Sequence, residues 1–139
     1  MSIEPHTHSA KTTFKLEAWD ETTISDPEVL PRLTRAECAQ RYQGDLEGTS
    51  ILHYLITYTE DGTAQFDGHE LVTGSLCGKT GSFVLRHQGS FAGGVARMRM
   101  CVVMGSATGD LAGLRGSAEF ASPHAEEYEL ELGYSFGTG

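Results

Sequence analysis

Apolar and polar residues alternate along most of this chain with a period of two. The clearest case is Tyr128, Leu130, Leu132, Tyr134 and Phe136, which interleave with Glu127, Glu129, Glu131 and Ser135. Successive side chains of a strand point to opposite faces, so this stretch predicts a strand with one buried face and one acidic, wetted face. Similar runs, separated by glycine-containing turns, predict eight strands at about residues 11–19, 34–43, 49–59, 63–77, 82–91, 95–104, 111–121 and 127–136. Only Asp26–Leu33 has room for a short helical turn, limited by Pro27 and Pro31. Short connections and an even strand count predict an all-β fold, a single eight-stranded antiparallel β-barrel, because closure leaves no unpaired edge. Residues 1–10, including His6-Thr7-His8, are expected to be a flexible N-terminal tail, and residues 11–139 the barrel domain.

Glycine is abundant, with 17 residues, and Gly-x-Leu-x-Gly recurs at Gly44–Gly48, Gly74–Gly78 and Gly109–Gly113. Glycine on either side of a buried leucine lets a strand coil sharply at a barrel corner.

Turn chemistry then sets which residues meet. A two-residue turn at Gly93-Gly94 places Ala92 opposite Val95, His87 opposite Met100 and Leu85 opposite Val102. A reversal through Gly78-Lys79-Thr80-Gly81 places Cys77 opposite Ser82 and Val72 opposite His87, with Glu70 diagonal to His87. One face of three strands then carries Phe66, Glu70, Val72, Leu76, Phe83, Leu85, His87, Met98, Met100, Val102 and Met104, and it is expected to line the barrel. The preceding hairpin has two forms. A type I′ turn at Asp61-Gly62 sets His53 opposite Glu70, in a cluster resembling a metal or acid–base site. A type I turn through Glu60-Asp61, with Gly62 left-handed, sets Leu52 there and asks no positive φ of Glu60, which favours it.

Composition narrows the function. The chain has 139 residues and a net charge of −9, from 19 acidic and 10 basic side chains. That balance opposes nucleic acid and anionic membrane surfaces, so neither is an expected partner. No basic flank with an apolar core opens the chain, and a cytoplasmic location is expected. Cys38, Cys77 and Cys101 lack paired spacing, which predicts free, mostly buried thiols and neither a disulfide framework nor a bound metal. Gly74–Thr80 lacks the glycine spacing and following helix of a phosphate loop. No cofactor and no catalytic residue is assigned.

Glu70 and His87 are the most informative pair, an acid and an imidazole on an apolar face, suited to a structural hydrogen bond, proton transfer or a polar ligand contact. Trp19 is expected to anchor a barrel mouth.

Several segments carry a family resemblance: Phe14–Glu21, Tyr42–Gly48, Tyr58–Ala64, Gly78–Leu85 and Gly105–Gly116. Over about residues 10–136 the chain resembles a bacterial family of unknown function, number 3224. The resemblance implies an eight-stranded, allene-oxide-cyclase-like barrel that self-associates, so a homo-oligomer is expected. In the distant plant cyclases the catalytic glutamate and a water-holding asparagine align with Lys15 and Glu17, so no catalytic residue carries over. That alignment turns Lys15, Glu17 and Trp19 inward together.

The combined expectation is an uncharacterised barrel that holds a small apolar ligand through Glu17, Trp19, Glu70 and His87. An isomerase or cyclase acting on a small hydrophobic substrate is the alternative, and a structural self-assembling module the second.

Overall fold

A computed structural model describes residues 7–26 and 28–137. Eight strands, β1 (His8–Thr23), β2 (Arg32–Gly44), β3 (Leu46–Tyr58), β4 (Ala64–Leu76), β5 (Lys79–Ala92), β6 (Val95–Val102), β7 (Leu114–Pro123) and β8 (Tyr128–Phe136), pair in chain order. β8 closes back on β1, with His8 opposite Tyr134, so the sheet is a closed antiparallel barrel. Strand β1 thus starts three residues before the expected barrel boundary at residue 11, and His8 packs its ring 5.2 Å from Tyr134. His6 lies outside the described residues.

The interior follows the alternation. Phe66, Val72, Leu76, Phe83, Leu85 and Met100 are buried with Glu70 and His87, while His69, Thr73, Arg86 and Gln88 face out. Met104 departs from this pattern. It is 78 % exposed, because β6 ends at Val102 and Gly105 bends the chain away. Nor does a helical turn form among the described residues of 26–33; the described α-helix content is nil, and the one 3₁₀ turn is Gly109–Leu111. The thiols are free but not mostly buried: Cys38 is buried, whereas Cys77 and Cys101 face solvent from a turn and an outward strand position.

Two hairpins show how turn type sets register. At β3–β4 the Gly62 N–H donates to Thr59 and Gly62 has φ 83°, the left-handed form, so Leu52 lies opposite Glu70 and His53 faces out. At β4–β5 the connection is tighter than the expected Gly78–Gly81 loop. Cys77 and Gly78, with φ 48° and 89°, make the reversal, and Leu76 pairs with Lys79. Gly81 lies within β5, where a side chain would collide with the Thr108 carbonyl. Val72 therefore faces Phe83 rather than His87, a slide of four residues. An even slide preserves facing, so Glu70 and His87 still share the interior.

The two ends of the barrel differ. Leu46, Leu76 and Leu111, the centres of the three Gly-x-Leu-x-Gly segments, are all buried in one core cluster at the end bearing the β2–β3, β4–β5 and β6–β7 connections. They plug that end. The opposite end is left open.

Candidate functional site

Strand β1 carries a bulge. Leu16 pairs with Gln40 and Ala18 with Ala39, which leaves Glu17 as the extra residue. A single extra residue reverses the facing of everything after it. Phe14 and Leu16 turn inward before it, Trp19 and Glu21 after it, and Glu17 is left outside with its Oε2 3.4 Å from the Arg41 Nε. Of the expected inward set, Lys15 and Glu17 are exposed and only Trp19 reaches the interior.

A cavity of about 370 Å³ occupies the open end. Its wall is aromatic: Phe14, Trp19, Tyr54, Tyr58, Phe66, Phe91, Phe120 and Tyr128 line it, eight of the chain's twelve Phe, Tyr and Trp residues. Leu16, Ile56, Ala64, Ala96 and Met98 fill between the rings, and Gln40, Ser122 and His124 add polar groups. Trp19 stands at the mouth, 46 % exposed.

Two mid-strand glycines make room for these rings. Tyr54 on β3, Gly68 on β4 and His87 on β5 form one cross-strand row. A side chain at Gly68 would strike the Tyr54 ring, so its absence lets that ring cross β4 and reach His87. Phe66, Gly89 and Met98 repeat the arrangement one step along, where the Phe66 ring occupies the space over Gly89. Glycine in a strand marks such a close approach.

Below the aromatic floor lies a closed polar network. Glu70 is 0 % exposed and His87 2 %. Tyr42 and Ser50 each donate a hydroxyl to Glu70 Oε2 at 2.6 Å, and His87 Nε2 lies 2.8 Å from Oε1. His87 Nδ1 is 2.8 Å from the Tyr54 hydroxyl. Burial, and then the neighbouring Glu70, push the Tyr42 and Tyr54 phenols well above their usual range. Neither Glu70 nor His87 lines the cavity; Tyr54 is the member of this network that does. Glu70 orients His87, and His87 connects to Tyr54, a chain able to pass a proton between the cavity wall and a sealed carboxyl group. Tyr42, Ser50 and Tyr54 were not legible as its members from sequence, because each comes from a strand whose register had to be known first.

A second polar cluster rims the mouth. Glu21 accepts from Trp19 Nε1 at 3.1 Å, Thr34 at 2.7 Å and Tyr58 at 2.6 Å, and the Arg32 guanidinium lies 4.7 Å over the Tyr58 ring. Partial burial raises the Glu21 pKa, but the three hydrogen bonds and Arg32 outweigh it and hold the carboxyl below its usual 4.5. A depressed folded-state pKa gives stability that is present above the unfolded value and is lost as pH falls through the folded one. Acid titration below pH 4.5 should therefore loosen this rim, and Trp19 fluorescence should report it. Glu21→Gln should remove that pH dependence; an unchanged acid transition would refute the assignment.

Among the described residues no three His, Cys, Asp or Glu side chains converge as a metal site. No described helix is long and apolar enough to cross a membrane.

Residues 10–134 match the model described as "Protein of unknown function (DUF3224)". The chain belongs to the DUF3224 family. A crystal structure of a DUF3224 protein of unknown function from Shewanella oneidensis MR-1 is similar, with a TM-score of 0.74 and 30 % sequence identity over 94 % of this chain and 100 % of that one. No curated protein matches the chain. The DUF3224 fold is thus common to both proteins, and neither description names a ligand or reaction.

Proposed function

We propose that this protein is a small-molecule-binding barrel whose ligand is mostly apolar. The observation that carries this is the blind cavity of about 370 Å³, within the ~300–1,000 Å³ typical of ligand pockets, walled by rings and supplied with few polar groups. Trp19 and Tyr54 are the contacts we assign from its wall, with Glu70 and His87 supporting Tyr54 from beneath. Three free thiols suit a reducing, cytoplasmic setting. Trp19 is the single tryptophan, so its emission is a built-in reporter of the mouth. An anilinonaphthalene dye should bind saturably and change that emission. Ala96→Phe, which fills the cavity from β6, should weaken binding by at least about tenfold while leaving the fold intact. Equal binding by both proteins would remove this function.

One observation favours an enzymatic role for the same cavity, namely the Glu70–His87–Tyr54 hydrogen-bond chain, which is the arrangement of an oriented base and a hydroxyl. Full turnover by Tyr54→Phe on an identified substrate would eliminate it.

We also propose a homo-oligomer. Ala18, Ala39, Ile51, Leu71 and Val84 lie in one cross-strand row on the outer surface of β1–β5. The adjoining row, Asp20, Glu37, His53, His69 and Arg86, sets two acids beside an arginine and two imidazoles, with Glu37 Oε1 3.8 Å from His53. In a chain of net charge −9 this face offers little repulsion to a second copy. Leu71→Glu should shift the native mass to the monomer; a wild-type monomer would refute the assembly.

A further inference from the structure

The rings around the cavity fall into two sets. Phe14, Phe120 and Tyr128 pack on one another, with centroids 5.1–5.7 Å apart. Trp19, Tyr54 and Phe66 form the second set, with Tyr54 6.3 Å from Trp19 and 5.0 Å from Phe66. Phe120 is on β7 and Tyr128 on β8, whereas Tyr54 is on β3 and Phe66 on β4. In a closed barrel of eight strands β3 lies across from β7 and β4 across from β8, so Tyr54 and Phe66 face Phe120 and Tyr128 over the lumen, while Phe14 and Trp19 both come from β1, where the two sets meet. Among the described residues no ring of one set packs on a ring of the other, and all six line the same cavity. The space between them is a slot with an aromatic wall on each side.

An isotropic apolar pocket would suit any greasy ligand of the right volume. A slot is more selective. Ring faces carry negative quadrupole density and ring edges positive density, so opposed aromatic walls favour a third ring, stacked or edge-on, over a saturated group of similar size. Met98 on the same lining adds a polarisable sulfur that also favours ring contacts. The glycines at 68 and 89 fix the wall on β3 and β4, since they give the Tyr54 and Phe66 rings their places across the sheet.

We propose that the ligand of this barrel is a planar aromatic molecule, held between the Trp19–Tyr54–Phe66 wall and the Phe14–Phe120–Tyr128 wall. It rests on the cavity being a ligand site, and it narrows that site to flat, conjugated compounds as opposed to aliphatic chains or saturated ring systems.

Matched probes test it. 2-Naphthol and decahydro-2-naphthol share a carbon skeleton and a hydroxyl, but only the first is flat and conjugated, and 1-decanol is a linear control of the same carbon number. Calorimetric titration of the full chain should give an affinity for 2-naphthol about tenfold above that for either saturated alcohol. Its bound protons should move upfield in NMR spectra, the ring-current signature of a molecule between aromatic faces. Phe120→Leu and Trp19→Leu take one ring from each wall at positions that are not fully buried. Each should weaken 2-naphthol about threefold or more, with the affinity for decahydro-2-naphthol unchanged within about twofold. Equal or tighter binding of decahydro-2-naphthol or 1-decanol would overturn the aromatic assignment and leave the ligand-binding barrel standing. Failure of all three probes to bind would overturn both.

Discussion

His87→Leu is expected to lower the stability of the barrel by about 3–5 kcal/mol, the cost of breaking a buried pair from one side. The leucine fills the space but returns nothing to the polar groups around it. Glu70 Oε1 loses its imidazole partner at 2.8 Å, and the Tyr54 hydroxyl loses one at 2.8 Å and keeps only the Met98 sulfur at 3.9 Å. Glu70 is fully buried and Tyr54 is only 7 % exposed, so the desolvation already incurred on folding is left largely without compensation. For a domain of this size the melting midpoint should fall by about 10–15 °C. Glu70→Gln is the informative contrast. The amide keeps an oxygen for Tyr42 and Ser50, and its N–H can meet His87 Nε2 once the imidazole carries its proton on Nδ1 and donates it to the Tyr54 hydroxyl, so its cost should be nearer about 1–2 kcal/mol. Urea titrations of the two variants measure this difference. A His87→Leu protein within 1 kcal/mol of wild type, on the order of one ordinary hydrogen bond, would show that the network contributes little.

Gly68→Val should cost a comparable amount, about 2–6 kcal/mol, for a different reason. The new side chain would meet the His53 carbonyl on the neighbouring strand and the Tyr54 ring. Overpacking of this kind costs about 1–3 kcal/mol, and the displaced Tyr54 would give up its bond to His87 Nδ1, adding about 1–3 kcal/mol more. One substitution thereby couples the floor of the cavity to the buried network. Denaturation curves give the energy, and Trp19 emission gives the local effect, because the indole lies 6.3 Å from the Tyr54 ring. If Gly68→Val kept both at wild-type values, the glycine would not be what positions Tyr54.

Much of the interior was legible from alternation alone. Strand parity is insensitive to an even slip, which is why Glu70 and His87 come out on one face although the β4–β5 turn is shorter than its glycines suggest. A left-handed Cys77 is the misleading element: a non-glycine residue with φ 48° is uncommon, and the sequence offers Gly78 and Gly81 as more natural turn residues. The β3–β4 hairpin was readable from Gly62, whose left-handed φ follows a type I turn and removes His53 from the interior. Glu17 was not readable. A bulge has no signature in an alternating pattern until the partner strand shows two residues opposite one, and this one turns Glu17 out to Arg41 while bringing Trp19 and Glu21 in.

By itself the sequence determined the strand count, the closed all-β architecture, and the shared facing of the carboxyl at 70 and the imidazole at 87, because these depend on local periodicity and turn chemistry. Only the tertiary structure decided that this pair is sealed under Tyr54, that three leucines plug one end, and that two sets of rings oppose each other at the other. Those features depend on register and closure, which bring together strands far apart in the chain, and no local pattern encodes the distance across a barrel.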